Sequence, residues 1–414
     1  MFSAKTVQLL GPATTRQAKV PLAVPEVAAT ARKSERFFHL DALRAGLMFW
    51  GILVHTSTLA PPAADHPSTA SVVFRKFAEA SGLVRMEAFF IISGFLAYML
   101  LQKYGARTTV KKRLVAIGVP FVTALVLLNP LTNWLVFIYH NHAVSFSDYL
   151  AGKGTAHAEG PGNWHLHLWF LLALFAYSLL APLLGAAVDA VMRHSADREP
   201  RPWTLGKLAP LVPGLKFLAM CLMVCAGCVG ARVAFEVAKH FLHPESQFVI
   251  RSIGNYLPYY ALGMILFAST ELRGIFSKVH WIQALGSGLL LWAVHQSAGD
   301  DPDRLHEVLI LAAQTYVALC LSSLLFWLAR KLVKAESAMV RFLSEAAYSV
   351  YLFHYLAIYC FALLLRHIIP MTGLMMTMVA IGTFIATLCL HAFIIQPVPV
   401  LAFLLNGKPP KRAK

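Results

Sequence analysis

The stretch that decides the fold is "RFFHLDALRAGLMFWGILVHTSTLA", running from Arg36 to Ala60. Most of it is apolar, and its length suits the roughly 20 residues that a helix needs to cross a bilayer. It nevertheless carries Asp41, Arg44 and His55. Such groups are costly in hydrocarbon and persist where they face a bundle interior or a watery cavity. From Arg44 to His55 is close to three helical turns, so the two share a face about 16 Å apart along the axis. Asp41, three residues before Arg44, lies near the same stripe. Two bland readings compete. Asp41 and Arg44 could be an interfacial pair with Arg44 snorkelling, and His55 could be a packing residue. The common direction of all three favours a functional interior.

The rest of the chain supports a membrane protein. Of 414 residues, 58% are hydrophobic and 14% charged, where a soluble domain has about a quarter charged. Mean hydropathy is +0.62. A net charge of +16 would suggest nucleic acid in a soluble protein. Here the Lys and Arg residues sit in short links between apolar runs, which is the pattern of membrane topology. No nucleic-acid partner is expected. All 6 Cys lie inside apolar runs, so no disulfide framework follows. Cys221, Cys225 and Cys228 share one helix face. They read as small residues at a helix contact rather than a thiolate metal site, and no metal is expected.

Apolar runs of spanning length recur over 39–60, 83–101, 114–138, 165–189, 215–236, 248–268, 280–298, 305–329, 343–366 and 371–395. The third is interrupted by "NPLTNW" (Asn129 to Trp134), which predicts a kink or a split. The expected fold class is all-α, a polytopic membrane helix bundle of about ten transmembrane helices. An even count puts both termini on one side. Most of the 36 Lys and Arg residues fall in the tails and the even-numbered links, which makes that side the cytoplasm. Residues 1–36 lack an apolar core followed by a cleavage site and read as a disordered cytoplasmic tail, not a secretory signal. Residues 37–400 form one membrane domain, and 401–414 a basic cytoplasmic tail.

Further polar residues fall within the runs. Arg85 and Glu87 open the second, with Ser93 and Gly94 near its middle. The fourth opens as "GNWHLHLWF", with His165, His167 and Trp169 at its outer end. Arg232 lies in the fifth. Arg251, Asn255 and Tyr259 follow one another at four-residue steps in the sixth. His354 lies mid-membrane in the ninth, near Tyr348 and Tyr351. By the topology above, most of these polar groups lie between the midplane and the exterior, which suits a hydroxyl-rich ligand. Arg44 lies about 9 Å on the inner side of the centre, where a fixed cation could meet the phosphates of a donor. A donor from inside and an acceptor from outside would suit transfer across the membrane. No Ser nucleophile elbow or metal-binding HxxxH occurs in a convincing context. His55 could take the proton of an acceptor hydroxyl or be acylated itself. Glu87 or Asp41 could orient it, and Arg or amide donors could hold an oxyanion.

Four motifs in order carry a resemblance. "FFHLDALRAGLMFWGILVH" resembles the first-helix signature of the acyltransferase family 3 membrane proteins, an acidic-x-Leu-Arg element followed by a His three turns later. "EAFFIISGFLAYMLL", "HLWFLLALFAYSLL" and "AAYSVYLFHYLAIYC" are similar to its later motifs, and the resemblance covers roughly residues 36–400. It implies that His55 is the catalytic His and Arg44 an essential first-helix Arg. It also implies that Ser93, Gly94, His167, Trp169 and His354 belong to motif sites. Glu87 stands where many relatives carry Asp. The motifs "RMEAFFIISGF" and "WHLHLWFL" look most like a branch that succinylates osmoregulated periplasmic glucans. The "RR" run of many O-antigen acetylating members appears here as "KKR" (Lys111 to Arg113).

The expected activity is O-acyl transfer, most readily succinyl from succinyl-CoA, to a periplasmic glucan at the bacterial inner membrane. Acetyl transfer to another exported polysaccharide is the alternative. Acyl-CoA is then a co-substrate, with no tightly bound cofactor. The expected catalytic residues are His55, Arg44, Asp41 and Glu87. The expected substrate contacts are Arg85, Ser93, His167, Trp169, Arg232, Arg251, Asn255 and His354. Two other classes fit parts of the pattern. A secondary transporter suits ten spans with buried charges, but paired broken helices are missing from the pattern. A lipid-linked-sugar glycosyltransferase would want more acidic residues than Asp65 and Glu79 in the first outer link.

Overall fold

A computed structural model of the chain describes residues 37–59, 69–155, 164–196, 211–278, 281–298, 303–370 and 373–408. The expected tail over residues 1–36, the link residue Asp65 and the last six residues lie outside these. Among the described residues every regular element is helical. The order begins with α1 (Phe38–Thr56), α2 (Thr69–Gly82), α3 (Arg85–Tyr104), α4 (Ala106–Arg113), α5 (Val119–Thr123), α6 (Asn129–His140) and α7 (Phe146–Leu150). It continues with α8 (Trp169–Ala196), α9 (Val212–Ala238), α10 (Pro244–Ala268), α11 (Thr270–Phe276) and α12 (Trp281–Ala298). It ends with α13 (Arg304–Leu332), α14 (Ala338–Leu365), α15 (Gly373–Leu390) and α16 (Pro399–Asn406).

Each of the ten expected runs coincides with a helix over most of its described residues. Seven helical rods among the described residues are long and apolar enough to cross a membrane: Val72–Tyr104, Ala106–His140, Leu166–His194, Val212–Phe241, Arg304–Leu332, Ala338–Leu365 and Gly373–Ile395. The chain is a multi-pass membrane protein, all-helical among the described residues. The other three expected runs correspond to α1, α10 and α12, of 19, 25 and 18 residues. Their polar side chains separate them from the seven. In α1 that content fits its place, because the helix packs against α3, α13, α14 and α15 and buries Leu40, Leu47 and Ile52 in protein.

The third run is not split. Ala106–His140 is one rod in which two π-helical turns, Leu114–Gly118 and Ala124–Leu128, widen the helix. A third π turn, His391–Ile395, follows α15. Each ends two residues before a proline: Pro120, Pro130 and Pro397. A proline lacks its N–H and presses its ring on the carbonyl four residues back. That carbonyl belongs to Ala116, Val126 or Phe393, in each case the middle residue of the π turn. An inserted residue absorbs the clash and keeps the rod continuous.

Two helices meet unusually closely. A Cβ added at Gly94 of α3 would lie 1.9 Å from the Tyr260 carbonyl oxygen of α10. One added at Gly263 of α10 would lie 2.0 Å from the Ile91 oxygen of α3. The backbones therefore touch at reciprocal glycines, as small residues allow in membrane helices. Around the crossing, Phe89 to Phe95 of α3 are all buried.

The segment expected as the start of a basic tail is ordered up to residue 408. Gly407 ends α16 in the left-handed region at φ 60°, and any Cβ there would strike the Ala116 backbone in the first π turn. Lys408 pairs with Glu345 at 2.8 Å. Inside this joint, buried Ser349 donates to Asn406 Oδ1 at 2.9 Å and meets His391 Nδ1 at 2.8 Å. A hydroxyl has one proton, so the imidazole N–H donates to Ser349. α16 is thereby held on α14 and on the turn after α15.

Candidate functional site

Three helices bring three histidines together. His55 ends α1, His167 sits in the short 3-10 turn that enters α8, and His354 lies midway along α14. Ring centroids are 5.1 Å apart for His55 and His354, 5.0 Å for His167 and His354, and 6.4 Å for His55 and His167. Tyr355 closes the group, 4.8 Å from His55 and stacked on His167 at 5.1 Å with rings 5° from parallel. The Tyr351 hydroxyl donates to the His167 carbonyl at 2.6 Å.

The tautomer of His354 follows from its partner. Its Nδ1 lies 2.7 Å from the Tyr351 carbonyl oxygen, which can only accept. Nδ1 thus carries the proton, and neutral His354 presents a bare lone pair at Nε2. That atom is buried and has no hydrogen-bond partner among the described residues. Neither ring nitrogen of His167 makes a well-aligned hydrogen bond there either. An unmet buried polar atom costs about 1–3 kcal/mol. Several in one cluster make it a candidate site for a polar ligand.

Arg85 completes the chamber. A Cβ added at Gly51, one turn before His55, would lie 3.3 Å from an Arg85 terminal nitrogen and 3.9 Å from His354 Nε2. Glycine on α1 thus leaves open a space that the Arg85 guanidinium and the His354 imidazole both border. Arg85 Nε donates to Ser81 Oγ at 2.8 Å, so the end of α2 fixes the fork. His55, Arg85, His167 and His354 were all legible in the sequence. Tyr355 and Ser81 were not, although Tyr355 directly follows a motif His. Leu166, between His165 and His167, has φ 45°. That conformation costs a non-glycine residue about 1–3 kcal/mol and clusters at functional sites. His165 leaves the chamber and stacks on Phe248 at 5.7 Å.

Arg44 and Asp41 form an ion pair at 3.7 Å, with side chains 34% and 27% exposed. Arg113, the last residue of "KKR", lies close enough to act electrostatically on Arg44 and donates from Nε to Ser178 Oγ at 3.0 Å. Two guanidiniums with one nearby carboxylate leave an excess of positive charge about 16 Å along α1 from His55.

The structure does not bring the remaining expected residues into the histidine chamber. Glu87 follows Arg85 by two positions, about 200° round the helix, and so enters a different cavity with Arg232 and Asn255. Trp169 stacks on Tyr256 at 5.9 Å. Ser93 is buried within α3 beside the glycine crossing. Arg251 is exposed and lies by Glu236 of α9. Helical spacing places Arg251 and Asn255 on one face of α10, and that face is exposed at Arg251 but partly buried at Asn255. Among the described residues no group of three or more His, Cys, Asp or Glu has a geometry suited to hold a metal ion.

A buried imidazole cluster beside a fixed guanidinium, within an all-helical membrane bundle, is equipment for proton transfer and oxyanion stabilisation. The acyltransferase family 3 model, described as an acyltransferase domain, matches residues 37–395, and the chain belongs to that family. It is a membrane acyltransferase, which answers the transporter alternative. The chain is 24% identical over 388 residues to glucans biosynthesis protein C of Escherichia coli O81 (strain ED1a), covering 91% of this chain and 96% of that relative. The proteins of the same name from Escherichia coli O157:H7 and strain K12 / DH10B match to the same extent. No solved structure matches the chain.

Proposed function

We propose that the protein transfers a succinyl group from succinyl-CoA to hydroxyls of a periplasmic glucan. In this reading it lies in the bacterial inner membrane, with ten crossings and both termini in the cytoplasm. The observation that carries the chemistry is the chamber of His55, His167 and His354 against Arg85, with its unmet nitrogen lone pairs. The name of the relatives, glucans biosynthesis protein C, supports a glucan acceptor.

The acceptor hydroxyl gives its proton to His55 as its oxygen attacks the thioester carbonyl carbon. The new C–O bond leaves a tetrahedral oxyanion, which the Arg85 guanidinium neutralises in a site of low dielectric. Collapse breaks the C–S bond. The CoA thiolate then recovers the proton from the His55 imidazolium, which leaves an ester, CoA–SH and a neutral imidazole. His354, held by Tyr351, offers its Nε2 lone pair to a donor beside His55 and so orients either the imidazole or the hydroxyl. Arg44 and Arg113 hold the phosphates of the donor, and the extended pantetheine arm carries the thioester towards His55.

The test uses purified protein in lipid nanodiscs with labelled succinyl-CoA and a glucan, and acetyl-CoA alongside. Label should move to the glucan, and His55→Ala should abolish that movement. Normal transfer by the variant would remove His55 from the mechanism, and preference for acetyl-CoA would replace the donor.

A further inference from the structure

Across α3 from the histidines lies a separate cavity of about 190 Å³. Glu87 enters it from α3, Arg232 from α9, Asn255 from α10, and Gln314 and Thr315 from α13. Glu87 Oε2 and Arg232 Nε are buried there without a hydrogen-bond partner among the described residues. Tyr256 forms a wall, clamped between Phe90 at 5.0 Å and Trp169 at 5.9 Å. Arg85, on the histidine side, lies close enough to act electrostatically on both Tyr256 and Glu87. Arg85 borders the histidines and Tyr256 lines the cavity, so the two sites lie close together. Gly82 and Leu83, which link α2 to α3, also line the cavity. A chain passing over the N-terminal end of α3 would reach both the cavity and the histidine cluster, about 10 Å apart across the helix.

The donor and acceptor set selects the occupant. Glu87 can only accept when ionised, Arg232 can only donate, and the amides of Asn255 and Gln314 do both. A carboxylate would satisfy Arg232 but face Glu87, and a cation would satisfy Glu87 but face Arg232. A neutral group bearing several hydroxyls satisfies both, because each hydroxyl donates and accepts.

We propose that this cavity is a second acceptor subsite, which holds a neutral sugar unit of the same glucan whose neighbouring unit is acylated beside His55. The proposal rests on the acyl-transfer reading for the identity of the glucan. It makes the acceptor a chain rather than a single sugar, recognised on both sides of α3.

The test is equilibrium binding of a labelled linear glucose hexasaccharide to the full chain in nanodiscs, with no acyl-CoA present. Wild type should bind it. Arg232→Gln and Glu87→Gln should each raise Kd about tenfold or more, as loss of a charge-assisted hydrogen bond implies. Thr315→Val, which keeps the volume, serves if either variant melts early. Succinate should not compete. Unchanged Kd in all three variants would overturn the subsite, as would competition by succinate that depends on Arg232. If the hexasaccharide binds through these residues but wild type transfers no acyl group, the reaction reading fails and the subsite stands. If transfer proceeds and the variants bind normally, the subsite fails alone.

Discussion

Replacing Gly94 with Ala tests whether the close α3–α10 crossing shapes the site. The new Cβ would sit 1.9 Å from the Tyr260 oxygen and 2.8 Å from its carbonyl carbon. Both neighbours are backbone, so no side-chain rotation relieves the clash. The helices must separate by more than ~1 Å, in a region where interiors are close-packed. Overpacking costs about 1–3 kcal/mol and more where backbone must move. The same shift displaces Arg85 and Glu87 on α3 from Asn255 and Tyr256 on α10, and misplacement of about 1 Å can cost ~100-fold in rate. Thermal unfolding followed by a thiol-reactive dye reads the stability, and labelled acyl transfer reads the rate. Gly94→Ala should lower Tm and activity together. Gly94→Ala with Gly263→Ala should cost less than the sum, because both open one crossing. Gly286→Ala in α12, with nothing within 4 Å of its Cβ, is the control and should be neutral or stabilise by about 0.5–1 kcal/mol. A Gly94→Ala protein with wild-type Tm and turnover would refute the argument.

Arg85→Lys keeps the charge but loses the fork that reaches Ser81 and the His354 side at once. Turnover should fall about 100-fold or more while the protein stays folded, as single-turnover transfer would show. Arg44→Ala should raise KM for acyl-CoA about tenfold, the worth of one charge-assisted contact. An unchanged donor KM would move the phosphate site elsewhere. Ser349→Ala strands His391 Nδ1 and Asn406 together and should destabilise by about 1–3 kcal/mol. Loosening of α16 should also appear as faster amide exchange near residues 399–408.

The legible parts of the site share one property: their residues are polar where hydrocarbon forbids it. His55, Arg85 and His354 declared themselves as costly side chains in apolar runs, and the structure gathers them. Glu87 is equally visible, and its two-position offset from Arg85 turns it to the opposite side of α3, but only the packing of α9, α10 and α13 shows what it meets there. Arg251 is the converse case. It shares helical spacing with Asn255, but its end of α10 is exposed. Tyr355 was hidden because a tyrosine in an apolar run is ordinary, and only the packing of α1, α8 and α14 stacks it on His167.

By local composition alone the sequence establishes a membrane bundle, the places of its helices, and the groups too costly to face lipid. Those facts follow from local composition and from the price of burying charge. It also carried the positions of Pro120, Pro130 and Pro397, though not the π turns that absorb them. Which costly groups meet depends on the packed fold. Neighbourhood across helices depends on how the α3–α10 glycines set one crossing, and on which way each helix is rotated about its axis. Those quantities arise from packing between segments distant in the chain, and no single segment contains them.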